Sequence, residues 1–232
     1  MKIRYAPLAV ACALMVAAAA TTTAQAAAVT YSFGGTLYHV LDLPSLSVGD
    51  AYSGSFSYDT MAADANPDPG TGFYPNNFSI TATVNGYSFS SSTSVLDCPD
   101  CGGITVSDQT GPGFVDSLSV MTSPLDGSGF APVIGPQLNG FAPFTLGLYL
   151  DGPSTIYNSD GLPPTLMLSP FTGYQMFRFR FSNDGGGGNA VADGTITYLT
   201  LVTTAPVPEA STSAMLALGF GALAFVRRRK GR

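Results

Sequence analysis

Through the middle of the chain, apolar and polar residues alternate with a period of two. Tyr52, Phe56 and Tyr58 interleave with Ser53, Ser55 and Ser57; Phe78, Ile80, Ala82 and Val84 with Ser79, Thr81 and Thr83; Phe177, Phe179 and Phe181 with Arg178 and Arg180. Successive side chains of a strand point to opposite faces, so each run predicts a half-buried strand. Asn85-Gly86 separates the second run from Tyr87-Ser88-Phe89. That dipeptide suits the positive φ required at both positions of a two-residue turn, so it predicts a tight hairpin. Further strands are expected at residues 31–38, 104–106, 114–120, 144–150 and 195–202. No long segment carries a helical period. The expected fold is therefore all-β, a two-sheet antiparallel β-sandwich, with jelly-roll connections as one arrangement and an open barrel as the runner-up.

Both ends break this pattern. Lys2 and Arg4 precede an apolar run over residues 8–20 and the small-residue site Ala24-Gln25-Ala26. That order of parts predicts a secretory signal peptide, a signal helix over 1–26 cleaved after Ala26, with the Sec translocon and signal peptidase as partners. A lipoprotein would use Cys12 instead, but Ala9-Val10-Ala11 makes a poor lipobox. At the other end, Ala205-Pro-Val-Pro-Glu-Ala-Ser-Thr-Ser leads into an apolar stretch over 214–226, followed at once by Arg227, Arg228, Arg229 and Lys230. Apolar residues on every face, closed by a basic run, argue against an ordinary core helix. A helix over 211–226 would be ~24 Å long, close to the ~30 Å of a hydrocarbon core. A single transmembrane helix is expected, with the basic run as its cytoplasmic stop and the folded part outside. The expected organisation is 1–26 signal peptide, 27–204 extracellular β domain and 205–232 tail.

Composition sharpens the charge argument. Between leader and tail there are two arginines, no lysine and fourteen aspartates, a net charge of −12. Phosphate binding needs a cationic surface, so nucleic acid is excluded as a partner and cations are the more natural ones. The same stretch has no Glu, and the whole chain has no Trp, which removes paired-Glu acid/base chemistry and the strongest sugar-stacking platforms.

Asp64, Asn66 and Asp68 stand at alternate positions before Pro69-Gly70, as oxygen ligands do in the first half of a calcium loop. Calcium is the one cofactor the residues suggest. Pro69 and Pro75 occupy the positions where an EF-hand loop carries Gly and Glu, and Asp and Asn beside Pro and Gly also form plain turns, so both readings stand. Asp126, Asp151, Asp160, Asp184 and Asp193 each precede Gly and are expected in turns. Cys98 and Cys101 bracket Pro-Asp; in an oxidising compartment a local disulfide is the simplest state, against a redox pair or a zinc site for which His39 is the only imidazole. His39 could serve as a general base, yet no serine lies in a nucleophile elbow, so no catalytic residue is nominated and an enzyme is not expected. The glycine run 185–188 lacks the Lys and Thr of a phosphate loop and predicts a hairpin connection. Arg178 and Arg180 share a strand face, where they could pair with aspartates or anchor an anionic sugar.

The tail resembles the PEP-CTERM sorting signal in Val207-Pro208-Glu209, the short apolar helix and the terminal arginine cluster, with Ala210 where the family usually has a second proline. The resemblance implies recognition of Val207, Pro208 and Glu209 by exosortase, an integral membrane enzyme, while the protein is held in the inner membrane. Transfer to the cell surface or an exopolysaccharide matrix would follow. Phe33-Gly-Gly-Thr36 and residues 48–60 are similar to the early part of other PEP-CTERM proteins of no assigned chemistry. Such tails also carry the label ice-binding protein C-terminal segment, but the chain has no long Thr-x-Thr array. The expectation is a noncatalytic structural or adhesive component of a biofilm or exopolysaccharide layer. The alternatives are a carbohydrate- or calcium-binding module and, behind it, a secreted hydrolase.

Overall fold

The computed structural model describes residues 28–75, 77–91, 102–109, 115–122, 133–183 and 190–202. These belong to one compact unit, Ala27–Thr204. The signal peptide, the sorting tail with Val207, Pro208, Glu209 and Arg227 to Lys230, the cysteines Cys98 and Cys101, Asp126, Asp184 and the glycine run all lie outside the described residues.

The described residues form strands and no helix: β1 (Ala28–Leu41), β2 (Ala51–Asp59), β3 (Thr71–Pro75), β4 (Phe78–Val84), β5 (Tyr87–Ser91), β6 (Gly102–Ser107), β7 (Val115–Thr122), β8 (Val133–Ile134), β9 (Ala142–Pro153), β10 (Gln175–Ser182) and β11 (Ala190–Val202). The expected alternation is present, for Phe177, Phe179 and Phe181 are buried while Arg178 and Arg180 point outward. Asn85 and Gly86 have φ of 49° and 82°, the left-handed pair that the hairpin between β4 and β5 requires.

All pairings are antiparallel, but the division into two sheets is corrected. One continuous sheet runs β3-β6-β7-β9-β10-β11-β1-β2-β4-β5-β8. Two layers face each other as in a sandwich, yet they belong to the same sheet, because β11 pairs with both β10 and β1 and so bridges what would be the gap. Among the described strands, half of the pairs that follow one another in the chain are also neighbours in the sheet, β1-β2, β4-β5, β6-β7, β9-β10 and β10-β11, and the other connections lead to strands elsewhere in the sheet. Irregularities at Gly34/Gly35 and Leu37/His39 on β1, and at Arg180/Phe181 on β10, add the local twist that curls the sheet. Curling brings Phe89 of β5 against Phe179 and Phe181 of β10, with ring centroids 5.6 and 5.4 Å apart, although five strand positions separate them in the sheet.

The core inside the curl is aromatic. Phe177 lies 4.8 Å from both Phe33 and Phe179, and Tyr52 stacks on Phe177 at 5.5 Å. Tyr31, Phe56 and Tyr58 continue the stack across β1 and β2. Offset and edge-on contacts of this kind add to the gain from removing apolar area from water.

Two turn assignments are also corrected. Asp151 lies within β9 and Asp193 within β11, each followed by a glycine that continues the strand. The glycine answers crowding in both cases: a Cβ on Gly194 would strike the ring of Tyr52, and one on Gly152 would strike Ile156.

Candidate functional site

Asp64, Asn66 and Asp68 sit beside β3, the edge strand that pairs with β6 on its other side. Asp64 Oδ1 accepts the backbone N–H of Asn66 and of Phe73, both at 2.8 Å. Phe73 in turn accepts from the N–H of Ala65 at 2.8 Å, and the Asn66 side-chain amide donates to the carbonyl of Thr71 at 2.8 Å. Asn66 Oδ1 accepts from the Asp68 N–H at 3.1 Å. These oxygens therefore serve backbone donors in successive Asx turns, and the segment covers the open side of β3, which Pro75 completes by having no N–H to offer. An uncovered edge is a template for pairing with another chain. Among the described residues, no three His, Cys, Asp or Glu side chains are grouped to hold a metal ion.

The capping role predicts that Asp64→Ala lowers stability by about 1 kcal/mol, the net worth of a lost hydrogen bond, and raises the fraction of protein that self-associates. Light scattering and urea unfolding, both in EDTA, check this. A loss that appears only when calcium is added would show that Asp64 works as a ligand instead.

A second cluster occupies the outward face of β1, β11, β10 and β9. Register places His39 opposite Asp193, Asp193 opposite Arg178 and Arg178 opposite Gly147. Asp193 is only 5% exposed and is gripped at both oxygens by Arg178, Nε to Oδ1 at 2.7 Å and Nη2 to Oδ2 at 2.9 Å. A planar guanidinium held in this fork is both charged and fixed in orientation. The pairing raises the Arg178 pKa further, so it is a permanent cation. His39 Nδ1 stands 3.8 Å from Asp193 Oδ2, and the ring is half exposed. Among the described residues, no Ser, Thr or Cys hydrogen-bonds to His39.

Tyrosines flank the cluster. The irregularity at Leu37/His39 turns Tyr38 outward, and its hydroxyl donates to Met176 Sδ at 3.2 Å. Tyr149 lies across Gly147, where an added Cβ would meet its ring at 2.7 Å, and donates to Met121 Sδ at 2.9 Å. Burial raises the pKa of both hydroxyls, so they remain neutral donors. Tyr174, two residues before Met176, is also exposed. Sequence alternation identified the arginine face; the bulge that brings Tyr38 and His39 to it, and the pairing of Asp193, needed the register of three strands.

A cleft of about 360 Å³ lies between residues 156 and 171. Its walls combine Leu162, Pro163, Leu166 and Phe171 with the uncharged polar residues Asn158, Ser159 and Thr165, and no lining residue is charged. The fully buried Asp116 supports one wall by accepting the N–H groups of Ile156 and Tyr157 at 2.8 and 2.9 Å, while Tyr58 donates to the Pro163 carbonyl at 2.6 Å.

Residues 206–230 match the family model described as the PEP-CTERM protein-sorting motif. No curated protein and no solved structure matches the chain.

Proposed function

Because the chain carries the PEP-CTERM sorting motif, which makes it an exported exosortase substrate, membrane-anchored and then processed, we propose that its β domain is a noncatalytic structural or adhesive component of an extracellular polysaccharide layer. The observation that carries this reading is the motif at 206–230, since it assigns the route and the route ends outside the cytoplasm. The domain supports it by its chemistry. A rigid aromatic core, a strongly anionic surface and a guarded sheet edge suit a protein that stays soluble and separate outside the cell. Sec and signal peptidase would act first, the inner membrane would hold the intermediate, and exosortase would read Val207, Pro208 and Glu209.

Deleting residues 214–232 is expected to move essentially all of the protein from the cell-bound fraction to the medium. Fractionation and immunoblotting measure it. Unchanged retention at the surface would mean that this tail does not sort the protein.

A second reading is a carbohydrate-binding module, favoured by the tyrosines and arginines on the outward face of β9 and β10. The two readings are compatible, because an adhesive component needs a surface that meets the polymer around it.

A further inference from the structure

We propose that the outward face of β1, β11, β10 and β9 binds a polysaccharide bearing carboxylated sugars, an inference that rests on the matrix reading and names its ligand class. The domain has only two cationic side chains and one histidine, and all three lie on this face: His39 on β1, Arg178 and Arg180 on β10. Asp193 is the carboxylate between them, and it is already held by Arg178. Asp193 offsets Arg178, and Asp151 stands on the same outward face of β9 beyond Tyr149, so with His39 neutral the exposed Arg180 is the cation left for an approaching carboxylate in a domain of −12. Repulsion from the remaining aspartates is screened beyond about 8 Å at physiological salt.

Geometry supplies the rest of the site. The bond to Asp193 uses Nε and Nη2 of Arg178, which fixes the guanidinium plane before any ligand arrives and removes an ordering cost from binding. Arg180, exposed one pleat further along, offers a second cation on the same face of β10. Between the strands, Gly147 leaves a shelf across which the Tyr149 ring lies, directly beside the Arg178 row. Tyr38 and Tyr174, 49% and 65% exposed, stand at the margin with planar apolar faces and polar tips. A sugar ring presents a flat C–H face and equatorial hydroxyls, which matches tyrosine stacking and hydroxyl donation; a uronate carboxylate matches the arginines. The open sheet face also admits a long polymer, whereas the cleft at 156–171 has no charged group to hold a carboxylate.

The test uses the purified full chain in detergent micelles and measures affinity electrophoresis and calorimetry against polygalacturonate, with neutral dextran as the comparison. Polygalacturonate is expected to bind at least tenfold more tightly than dextran and to weaken as NaCl is raised from low to high concentration. Arg180→Gln and Tyr174→Ala, both exposed changes, are each expected to weaken binding about three- to tenfold, with the urea midpoint unchanged. Arg178 is left intact because its loss would strand Asp193. No binding of polygalacturonate, equal binding of dextran, or full binding by the Arg180→Gln/Tyr174→Ala double variant would each overturn the proposal. Localisation of the unmodified chain separates the two readings: a chain that reaches the surface yet binds no polygalacturonate refutes the ligand assignment alone.

Discussion

Gly35→Ala is expected to cost ~3 kcal/mol or more and to leave little folded protein, since a domain of this kind has only about 5–15 kcal/mol in total. Gly35 sits at the irregularity of β1, where pairing with β11 jumps from Tyr198 to Ile196. The skipped residue, Thr197, donates its hydroxyl to the Gly34 carbonyl at 3.2 Å. This bulge draws the two backbones together, and a Cβ at Gly35 would fall on the carbonyl group of Thr195. Both partners are main chain in central strands, so no rotamer change relieves the overlap and β1 and β11 would have to separate. Urea unfolding of the variant checks the size of the effect. Gly161→Ala, which meets only Ser159 Oγ at 3.4 Å, serves as the comparison and should shift stability by no more than about 0.5 kcal/mol. A loss below about 1 kcal/mol at Gly35 would show that the strands are not in such close approach.

Alkaline pH should unfold the domain cooperatively. Burial pushes the hydroxyls of Tyr52, Tyr58 and Tyr157 well above the ordinary tyrosine value of 10.0, with neighbouring tyrosines, or Asp116 beside Tyr157, adding to the effect. The folded pKa is the higher one, so below about pH 10 both states are protonated and stability is complete. As pH rises from there toward the folded values, the unfolded chain loses protons that the folded one retains. Each tyrosine then removes about 1.4 kcal/mol of stability per pH unit. The three together outweigh a stability of ordinary size within a few pH units. A cooperative step in phenolate absorbance should coincide with the loss of near-ultraviolet circular dichroism. Gradual phenolate formation with the aromatic dichroism intact would mean that these hydroxyls are not buried.

Strand positions were legible in the sequence wherever one face of the strand is buried and the other wet. The runs around Phe56, Ile80 and Phe179 declare themselves for that reason, and Asn85-Gly86 declares the hairpin. β3 was hidden because Gly72 and Pro75 look like turn residues, which an edge strand tolerates. β8 is two residues long and leaves no pattern at all. The single curled sheet was not legible either, because alternation says which side of a strand is apolar and nothing about which strands share an edge.

The chemistry divides in the same way. Asp64, Asn66 and Asp68 have a spacing that suits both a cation and a series of Asx turns; in the fold, Asp64 and Asn66 take backbone donors. Asp193 looked like a turn residue because Gly194 follows it, yet that glycine makes room for Tyr52 on one face while the carboxylate serves Arg178 on the other. The tail, by contrast, is a linear signal whose parts are adjacent in the chain, so its class was readable without any fold.

β11 ends at Val202, and its two flanks differ in length: β10 pairs with it from Ala190 to Thr195, whereas β1 follows it to Val202. A tug on the carboxyl end, acting along that strand, therefore loads the β1 ladder first, in shear, and reaches the β10 ladder only deeper in the sheet.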